Sequence, residues 1–383
     1  MYNFVVMKNY YDVVVIGGGP IGSYTAQKLA QKGFNVCILE QKKVIGSGVV
    51  CTGIISKESF ECYGLPDESI QTRINSFLFI SPKNQELKYI HPDTFAYVVD
   101  REIFDRKLSE KAQNSGVKYL LGVRVKSVEE LGKHYKVCAN GKYWQAKSVV
   151  IATGVDYKLQ KNLELGKPQR FLYGSQIELP IEADNTNIEI YVSQHYTPGS
   201  FAWIVPSHKK RARVGMILEK NGRVYLERFI KNRLRIDNYT DFEHQIAVKP
   251  IAYGPIKKSA TGRIIVVGEA AGQVKTTTGG GIFMGLLCAD IAVEKLGKAL
   301  KKGVALDDYD ITWRTALLSE LEIGKKVRQV ASRLNDRAIE RLFTFIKHNQ
   351  FWVSLLTPKI NFDYHSDLLY YCLKGFSFLL KNP

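Results

Sequence analysis

The start of the chain holds the feature that most restricts its fold: a strand, a glycine-rich turn and a helix in immediate succession. An apolar, β-branched run at 11–16 leads into residues 17–22, which read GGGPIG and satisfy the spacing G-x-G-x-x-G. Residues 23–32 have the pattern of a helix closed by Gly33, and a second apolar run follows at 35–40. This order predicts one βαβ unit and therefore a Rossmann-like α/β domain.

Each glycine of the turn has a physical task. Gly17 would make the tight turn, Gly19 would let a diphosphate approach the backbone, and Gly22 would let the helix lie close to the strand. Free N–H groups and the helix dipole would then hold the anion. Glu40 ends the second strand, where a carboxylate accepts hydrogen bonds from ribose hydroxyls. We therefore predict an adenine-nucleotide site rather than a purely structural turn.

NAD and FAD share this motif, and a later segment favours FAD. Residues 262–272 read GRIIVVGEAAG, a strand ending in Gly-Glu. Glu269 would place a carboxylate near a bound polyol, and the small residues after it allow close approach of a ligand. Residues 278–281, which read TGGG, would open a helix whose N–H groups stabilise negative charge on a reduced flavin.

The remaining pattern predicts a discontinuous FAD-binding domain at 1–165 and 255–300. A helix is expected at 101–114. Alternating residues at 166–254, as in 188–192 and 213–218, predict an antiparallel-sheet substrate domain that also takes part of 51–100. Helices are expected at 280–296 and over a basic, aromatic C-terminal region at 301–383.

The charge of the chain restricts its partners. Lys and Arg number 54 against 37 Asp and Glu, a formal net charge of +17, which favours anionic ligands such as diphosphates and acidic lipid headgroups. Nucleic acid is not expected, because no helix-turn-helix, zinc-finger or aromatic RNA-binding pattern accompanies the charge.

The six cysteines are scattered and form no C-x-x-C pair, so neither a metal site nor a disulfide framework is expected. No apolar run of 18 residues occurs, which predicts a cytoplasmic protein or one peripheral on the cytosolic face of a membrane. His91, His195 and His208 have no partner spacing and are interpreted as structural or surface residues. Oligomeric state is not readable.

Together these motifs resemble those of the geranylgeranyl reductase family, a branch of the flavoproteins built like p-hydroxybenzoate hydroxylase. The resemblance covers most of residues 10–300, in the order expected for the family. It rests on the N-terminal glycine motif and on the segments Cys51-Thr52-Gly53, Asp100-Arg101, Ala152-Thr153-Gly154, Phe201-x-Trp203-x-x-Pro206, Gly268-Glu269-Ala270-Ala271-Gly272 and Thr278-Gly279-Gly280-Gly281.

The resemblance implies an extended FAD whose diphosphate faces the glycine motif and whose adenosine ribose meets Glu40. It also implies that Arg101 lies near the cofactor, Glu269 near the ribityl chain or diphosphate, and the 279–282 segment near the pyrimidine edge. Glu269 replaces the commoner Asp, and Phe201 stands where Tyr is common. The full set of expected FAD-binding residues is Gly17, Gly19, Pro20, Ile21, Gly22, Glu40, Gln41, Cys51, Thr52, Gly53, Arg101, Val125, Ala152, Thr153, Gly154, Gly268, Glu269, Gly279, Gly280, Gly281 and Ile282.

The same resemblance implies that Phe201, Trp203 and Pro206 form an aromatic wall over an isoprenoid chain, although packed core aromatics would give the same pattern. Cys51, near the flavin, is a candidate catalytic residue or else an inert buried thiol. Lys275 lies between the two glycine clusters and would meet a substrate phosphate or remain a solvated loop residue.

The predicted activity is reduction of carbon–carbon double bonds in a polyprenyl group, with hydride from N5 of reduced FAD and a proton from a side chain or water. The electron donor would be NAD(P)H or a ferredoxin-type protein. Three alternatives stay open: a flavin monooxygenase of the same fold, a cluster-free electron-transfer flavoprotein acting on a quinone, and an inactive flavin-containing lipid-binding module.

The C-terminal region would cap the lipid tunnel, rest on a bilayer or simply pack as a helical tail. Its aromatic and apolar residues lie among lysines at Phe343, Phe345, Phe351, Trp352, Leu355, Leu356, Tyr370, Tyr371, Phe376 and Phe378.

Overall fold

The computed structural model describes residues 9–208, 210–236, 245–304, 306, 308–349 and 361–366. The strands are numbered β1 to β18: Tyr10–Ile16, Val36–Glu40, Ile54–Ser56, Ile70–Ile74, Ser76–Ile80, Glu86–Ile90, Ala96–Val99, Lys118–Leu121, Val125–Leu131, His134–Ala139, Lys142–Ile151, Phe171–Leu179, Asn187–Tyr191, Ala202–Pro206, Ala212–Leu218, Ala247–Ala252, Ala260–Thr261 and Ile264–Val266. The α-helices are numbered α1 to α8: Pro20–Gln31, Lys57–Tyr63, Arg101–Asn114, Lys158–Asn162, Gly222–Arg228, Ile282–Lys302, Asp308–Ala331 and Asp336–His348.

The first sheet carries the glycine motif. Its main path runs β17-β18-β11-β1-β2-β8, and β1 pairs in parallel with both β2 and β11. β1 is apolar along nearly its whole length because both of its faces are covered. Val13 and Val15 pack in the core shared with α1, α6 and α7, whereas Val14 and Ile16 pack on the other side with Trp144. The predicted Rossmann-like α/β class is confirmed.

The start of α1 differs from the expectation. The helix begins at Pro20, three residues before Ser23, with Gly19 as the N-cap. Proline at the first helical position has its φ already fixed near the helical value and lacks an N–H that the helix could not use. The glycine motif therefore contains the first turn of the helix as well as the loop before it.

The second sheet runs β16-β12-β15-β14-β13-β5-β6. Its strands pair antiparallel, as expected, except that β13 pairs with β5 in parallel. β5 comes from a segment about a hundred residues earlier in the chain, and such a long connection permits a parallel neighbour. A small third sheet, β3-β7-β4, lies beside these two.

The first long helix of the C-terminal region belongs to the core of the first sheet. Trp313 and Tyr309 on α7 are fully buried among residues of β1, α1 and α6. We propose the division into an FAD-binding unit at 1–165 and 255–300 and a substrate unit at 166–254, with α7 added to the first unit. No α-helix in the described part of the chain is long and apolar enough to cross a membrane.

Candidate active site

A large cavity is lined by residues of both sheets. Its volume is about 1560 Å³, above the ~300–1,000 Å³ of an ordinary small-molecule site, so a dinucleotide and a second ligand fit together. One end is formed by the glycine turn after β1, and the other by the second sheet and residues 361–365. The predicted FAD-binding residues that line it are Gly17, Gly19, Pro20, Ile21, Glu40, Gln41, Cys51, Thr52, Gly53, Arg101, Val125, Ala152, Thr153, Gly154, Gly268, Glu269, Gly279, Gly280, Gly281 and Ile282.

The glycine turn leaves space for a ligand at one position only. A Cβ on Gly17, which has φ +106°, would lie 2.8 Å from the carbonyl carbon of Ala152. A Cβ on Gly22 would collide with the carbonyl oxygen of Gly17. A Cβ on Gly19 would meet no protein atom within 4 Å. Gly17 and Gly22 are therefore required by packing, whereas Gly19 keeps open space beside the N-terminus of α1.

Gly22 lies outside the cavity, so the expectation that it faces a diphosphate is corrected. Its absent side chain instead lets α1 contact the turn, as the separate helix-packing argument for this position predicts.

The N-terminus of α1 suits an anion. No side chain caps it. Gly19, Pro20 and Ile21 line the cavity there, and unsatisfied N–H groups at a helix start bind phosphate oxygens.

Glu40 holds the loop beside this position. It is 8% exposed, and its carboxylate accepts hydrogen bonds from the N–H of Gly18 at 2.6 Å and of Lys42 at 2.7 Å. A carboxylate accepts about four hydrogen bonds, so capacity remains for sugar hydroxyls. Gln41 and Val125 line the cavity next to it. This arrangement fits the adenosine half of FAD.

A second uncapped helix start lies on the same cavity. Gly281 is the N-cap of α6 and has no side-chain capping bond, and 279–282 line the cavity. Glu269 also lines it and forms an ion pair with Lys249, with an Oε2–Nζ distance of 2.9 Å. Two uncapped helix N-termini on one cavity fit an extended ligand with a diphosphate at one and an anionic ring at the other.

Cys51 lies between the cofactor side of the cavity and the second sheet. Its sulfur accepts a hydrogen bond from the N–H of Gly53 at 3.4 Å. Arg101, which pairs with Asp105 at 2.9 Å, faces it. Burial opposes ionisation of Cys51, but the charges of Arg101 and Lys249 and the Gly53 N–H outweigh it, so the pKa of the thiol is lowered. The lowered pKa distinguishes Cys51 from an inert buried cysteine, whose pKa burial raises.

Two of the three residues of the predicted aromatic wall line the cavity. Phe201 and Trp203 have ring centroids 6.0 Å apart, and both face it. Gly215 on β15 makes room for the indole, because a Cβ there would lie 2.6 Å from it. Pro206 is buried at the end of β14, outside the cavity, where its carbonyl accepts a hydrogen bond from Thr72. Its assignment to the wall is therefore corrected.

Sequence reasoning missed a second group of aromatic residues. Phe77 and Phe95 have centroids 5.1 Å apart, and Phe362 stacks on Phe77 at 6.5 Å. Phe79 and Tyr89 line the same part of the cavity. The alternation in β5, which reads SFLFI, is a signal for Phe77 and Phe79, but nothing local links them to Phe362. Together with the predicted wall, these rings give the cavity a long apolar arm.

The segment 361–366 was expected to be part of a helical tail, but it is largely irregular and lies against the cavity. Asp363 accepts hydrogen bonds from Ser56 and Ser59 and pairs with Lys275 at 3.1 Å. The Nδ1 of His365 lies 3.0 Å from the hydroxyl of Thr277. Lys275 is 6% exposed, so its interpretation as a solvated loop residue is wrong, and its charge is already neutralised by Asp363.

Burial and then Lys275 lower the pKa of His365 to about 4, which leaves its imidazole neutral at physiological pH. The other predicted aromatic and apolar residues from Phe351 to Leu356 and from Tyr370 to Phe378 lie outside the described residues. Phe343 packs in α8 and Phe345 is half-buried there.

His91, His195 and His208 are not among the residues that line the cavity, although the His91 ring packs against Phe95, which does. His195 and His208 are exposed, and the Nδ1 of His91 lies 2.9 Å from the carbonyl oxygen of Asp93. Their interpretation as structural or surface residues stays a prediction. Among the described residues, no group of three or more His, Cys, Asp or Glu side chains is placed to hold a metal ion.

The glycine turn on a parallel sheet, the second uncapped helix and the adjoining apolar arm define an FAD-dependent oxidoreductase of the two-sheet flavoprotein class. Comparison with known proteins refines this class. The family model described as pyridine nucleotide-disulphide oxidoreductase matches residues 11–171. The digeranylgeranylglycerophospholipid reductase of Methanocaldococcus jannaschii is 30% identical over 357 residues, covering 88% of this chain and 90% of that protein.

Solved structures show the same fold. A geranylgeranyl bacteriochlorophyll reductase-like protein of Thermoplasma acidophilum superposes with a TM-score of 0.80 at 20% identity, covering 88% of this chain and 91% of that one. The p-nitrophenol 4-monooxygenase of Pseudomonas putida gives 0.68 at 15% identity, covering 90% and 94%. The chain belongs to the geranylgeranyl reductase family.

Proposed function

We propose that this protein reduces the carbon–carbon double bonds of geranylgeranyl chains carried by a glycerophospholipid. The observation that carries the proposal is the apolar arm, which continues from the α6 side of the cavity through Phe201 and Trp203 to Phe77 and Phe95. A polyprenyl chain offers only apolar area and double bonds, so such an arm supplies its binding energy. The relatives named as digeranylgeranylglycerophospholipid reductases support this substrate class.

One set of residues would hold the cofactor, and the two sheets would bind and align the substrate. Gly19 and the N-terminus of α1 would hold the diphosphate, Glu40 the ribose, and the N-terminus of α6 the flavin ring. When bound, FAD supplies the hydride in its reduced form. The two sheets would exclude water from the arm and align a double bond beside the ring.

A proton must reach the second carbon of each double bond. Cys51 lines the cavity between cofactor and arm, and Arg101 sets its protonation equilibrium. We propose Cys51 as the group that holds this proton, because His365 is neutral with a low pKa and the charge of Lys275 is committed to Asp363.

We also propose contact with a membrane surface, since the substrate would reside there. The net charge of +17 and the exposed Arg337, Arg341 and Lys347 on α8 support binding to acidic headgroups. Vesicle flotation tests this: binding to vesicles with acidic lipid should exceed binding to neutral vesicles and should fall as salt is added.

The decisive experiment reduces the FAD-loaded protein with dithionite under anaerobic conditions and adds a digeranylgeranyl glycerophospholipid. Mass analysis should show products that gain two hydrogen atoms per reduced bond. Phe201→Ala should slow the reaction, whereas Tyr143→Ala, at an exposed position outside the cavity, should not. When the reaction is repeated with O₂ and, separately, with a quinone, incorporation of oxygen into the lipid would support a monooxygenase instead, and reoxidation only by quinone would support an electron carrier. An irreducible flavin would support a lipid-binding module.

A further inference from the structure

Arg328 on α7 occupies the cavity at the junction of three structural elements. Its Nε donates to the carbonyl of Thr276 at 2.7 Å, and its NH2 donates to that of Thr277 at 2.8 Å. Its NH1 donates to the hydroxyl of Ser200 at 3.2 Å. Arg328 therefore joins the loop before α6 to the residue that precedes Phe201 in the aromatic wall.

Arg328 differs from the other cations around the inner cavity in its charge balance. Lys249 pairs with Glu269 at 2.9 Å, Lys275 with Asp363 at 3.1 Å, and Arg101 with Asp105 at 2.9 Å. In the described ranges of the chain, no carboxylate lies within 4 Å of Arg328.

Burial lowers the pKa of Arg328 to about 10, so the side chain is still charged at neutral pH. A guanidinium has five N–H donors. The three hydrogen bonds described above use one N–H from each of its three nitrogens. Two N–H groups therefore remain for a ligand. A partly buried cation with no carboxylate at ion-pair distance gains most from an anion that arrives with the substrate.

We propose that Arg328 is the binding site for the anionic phosphate headgroup of the lipid substrate. Building on the function proposed above, this assigns the polar end of the substrate to the junction of α7 with the loops at 199–201 and 276–277, and its tail to the apolar arm. The sequence pointed to Lys275 for this task, but Asp363 neutralises Lys275. The diphosphate of FAD has a separate place at the N-terminus of α1.

The test compares Arg328→Gln, Arg328→Lys and wild type, all loaded with FAD and reduced by dithionite, on geranylgeranyl diphosphate and on uncharged geranylgeraniol. For Arg328→Gln the KM for the diphosphate should rise about 10- to 100-fold, as expected for a lost charge-assisted hydrogen bond. The KM for the alcohol and kcat for both should change less than about twofold. The KM of Arg328→Lys for the diphosphate should lie between those of wild type and Arg328→Gln, because lysine keeps the positive charge but lacks the paired N–H donors of the guanidinium. Lys326→Gln, an exposed charge on the same helix, is the control and should match wild type.

Two results would overturn the proposal. An equal loss with both lipids, together with weaker FAD binding, would make Arg328 a support for the loop at 276–277. A shifted flavin reduction potential with an unchanged KM would make it a partner of the flavin ring.

Direct titration separates this proposal from the proposed function. If the wild type binds geranylgeranyl diphosphate without reducing it, and Arg328→Gln weakens that binding, the reductase function fails and the headgroup site stands. Inorganic diphosphate distinguishes the source of the anion: we expect it to bind far more weakly than the lipid, and equal affinity would indicate a site for free anions.

Discussion

Gly19 and Gly22 lie in the same motif, but they restrict the protein in different ways. Gly22 is enclosed by Gly17 and Ala152, so the protein itself excludes a side chain there. Gly19 borders open space in the cavity, so only a ligand excludes one. The sequence motif contains both glycines and does not distinguish them. The structure shows that Gly22 is required for folding and Gly19 for leaving space to a ligand.

This difference predicts opposite behaviour for two alanine variants. Gly22→Ala should lower the free energy of unfolding by about 1–3 kcal/mol even without FAD, because the added methyl group overlaps a carbonyl. Gly19→Ala should leave the FAD-free protein as stable as wild type and weaken FAD binding at least ~10-fold. Urea unfolding and flavin fluorescence titration measure the two quantities. Equal destabilisation of both FAD-free variants would contradict this account.

The Cys51–Arg101 contact predicts a pH dependence. Since the pKa of Cys51 is lowered, the rate of alkylation by iodoacetamide should reach half its maximum at a pH below that of an ordinary cysteine. Arg101→Gln removes the nearest positive charge and should move this midpoint to higher pH. Arg106→Gln, on the exposed side of α3, should not.

The measurement uses FAD-free protein and quantifies the labelled Cys51 peptide by mass spectrometry, with Cys51→Ser as the blank. An unchanged midpoint in Arg101→Gln would remove the basis for assigning a proton-holding role to Cys51.

Among the structural elements, α7 shows what local pattern cannot predict. Its sequence predicts a helix, but not that the helix completes the core of the first sheet. Tyr309 receives a hydrogen bond from Gln273 and donates one to the carbonyl of Val266. Trp313 donates to Ser259 at 2.7 Å. These partners are 36 to 54 residues away in the chain, so no short window of sequence contains both ends of the contact.

Two substitutions on α7 test this packing. Trp313→Ala should cost about 3–5 kcal/mol of folding free energy, because it opens a cavity and removes the hydrogen bond from the indole N–H to Ser259, whose hydroxyl then keeps only its bond to Asp310. Ile311→Ala, two residues away and 68% exposed, should cost about 0.5 kcal/mol or less. Urea unfolding of both variants measures these changes in folding free energy. Similar small losses would mean that α7 is only a peripheral addition.

The elements that could be predicted from the sequence are those determined by residues close together in the chain. The turn at 17–22, the helix α3 and the strand β1 follow from periodicity and glycine spacing, and they agree with the structure within a few residues. The parallel pairing of β13 with β5 was not predictable, since it depends on which distant edge is free. The sequence indicated Phe201 and Trp203 because they belong to a recognisable local motif. It did not indicate Phe362 or His365, because their place beside the cavity depends on contacts with distant parts of the chain.

At the scale of the whole molecule, residues 361–366 connect parts of the chain that are far apart. Asp363 reaches Ser56 and Lys275, and Glu320 accepts hydrogen bonds from the N–H groups of His365 and Ser366. α2, the loop before α6, and α7 are therefore tied together at one side of the cavity.

His365 makes this junction sensitive to acid. Its pKa is about 4 in the folded protein and about 6.5 when unfolded, so between these values the unfolded chain binds more protons. Stability should therefore fall as pH decreases from about 6.5 to 4, by up to ~3 kcal/mol from this residue. His365→Gln should lose this component, whereas the exposed His208→Gln should retain it.

Unfolding free energies measured across this pH range give the comparison. The difference between wild type and His365→Gln should narrow as the pH is lowered. A constant difference would show that His365 does not titrate at the junction.

The position of residues 361–366 also has a consequence for biosynthesis. Because Asn361, Phe362, Asp363 and His365 form one side of the cavity, a nascent chain that has emerged only as far as α8 has both nucleotide-binding helix starts but an unfinished wall. In the finished protein this side of the cavity is completed by these residues, one of which, Asp363, pairs with Lys275, so the wall is finished only after the helix starts have been synthesised.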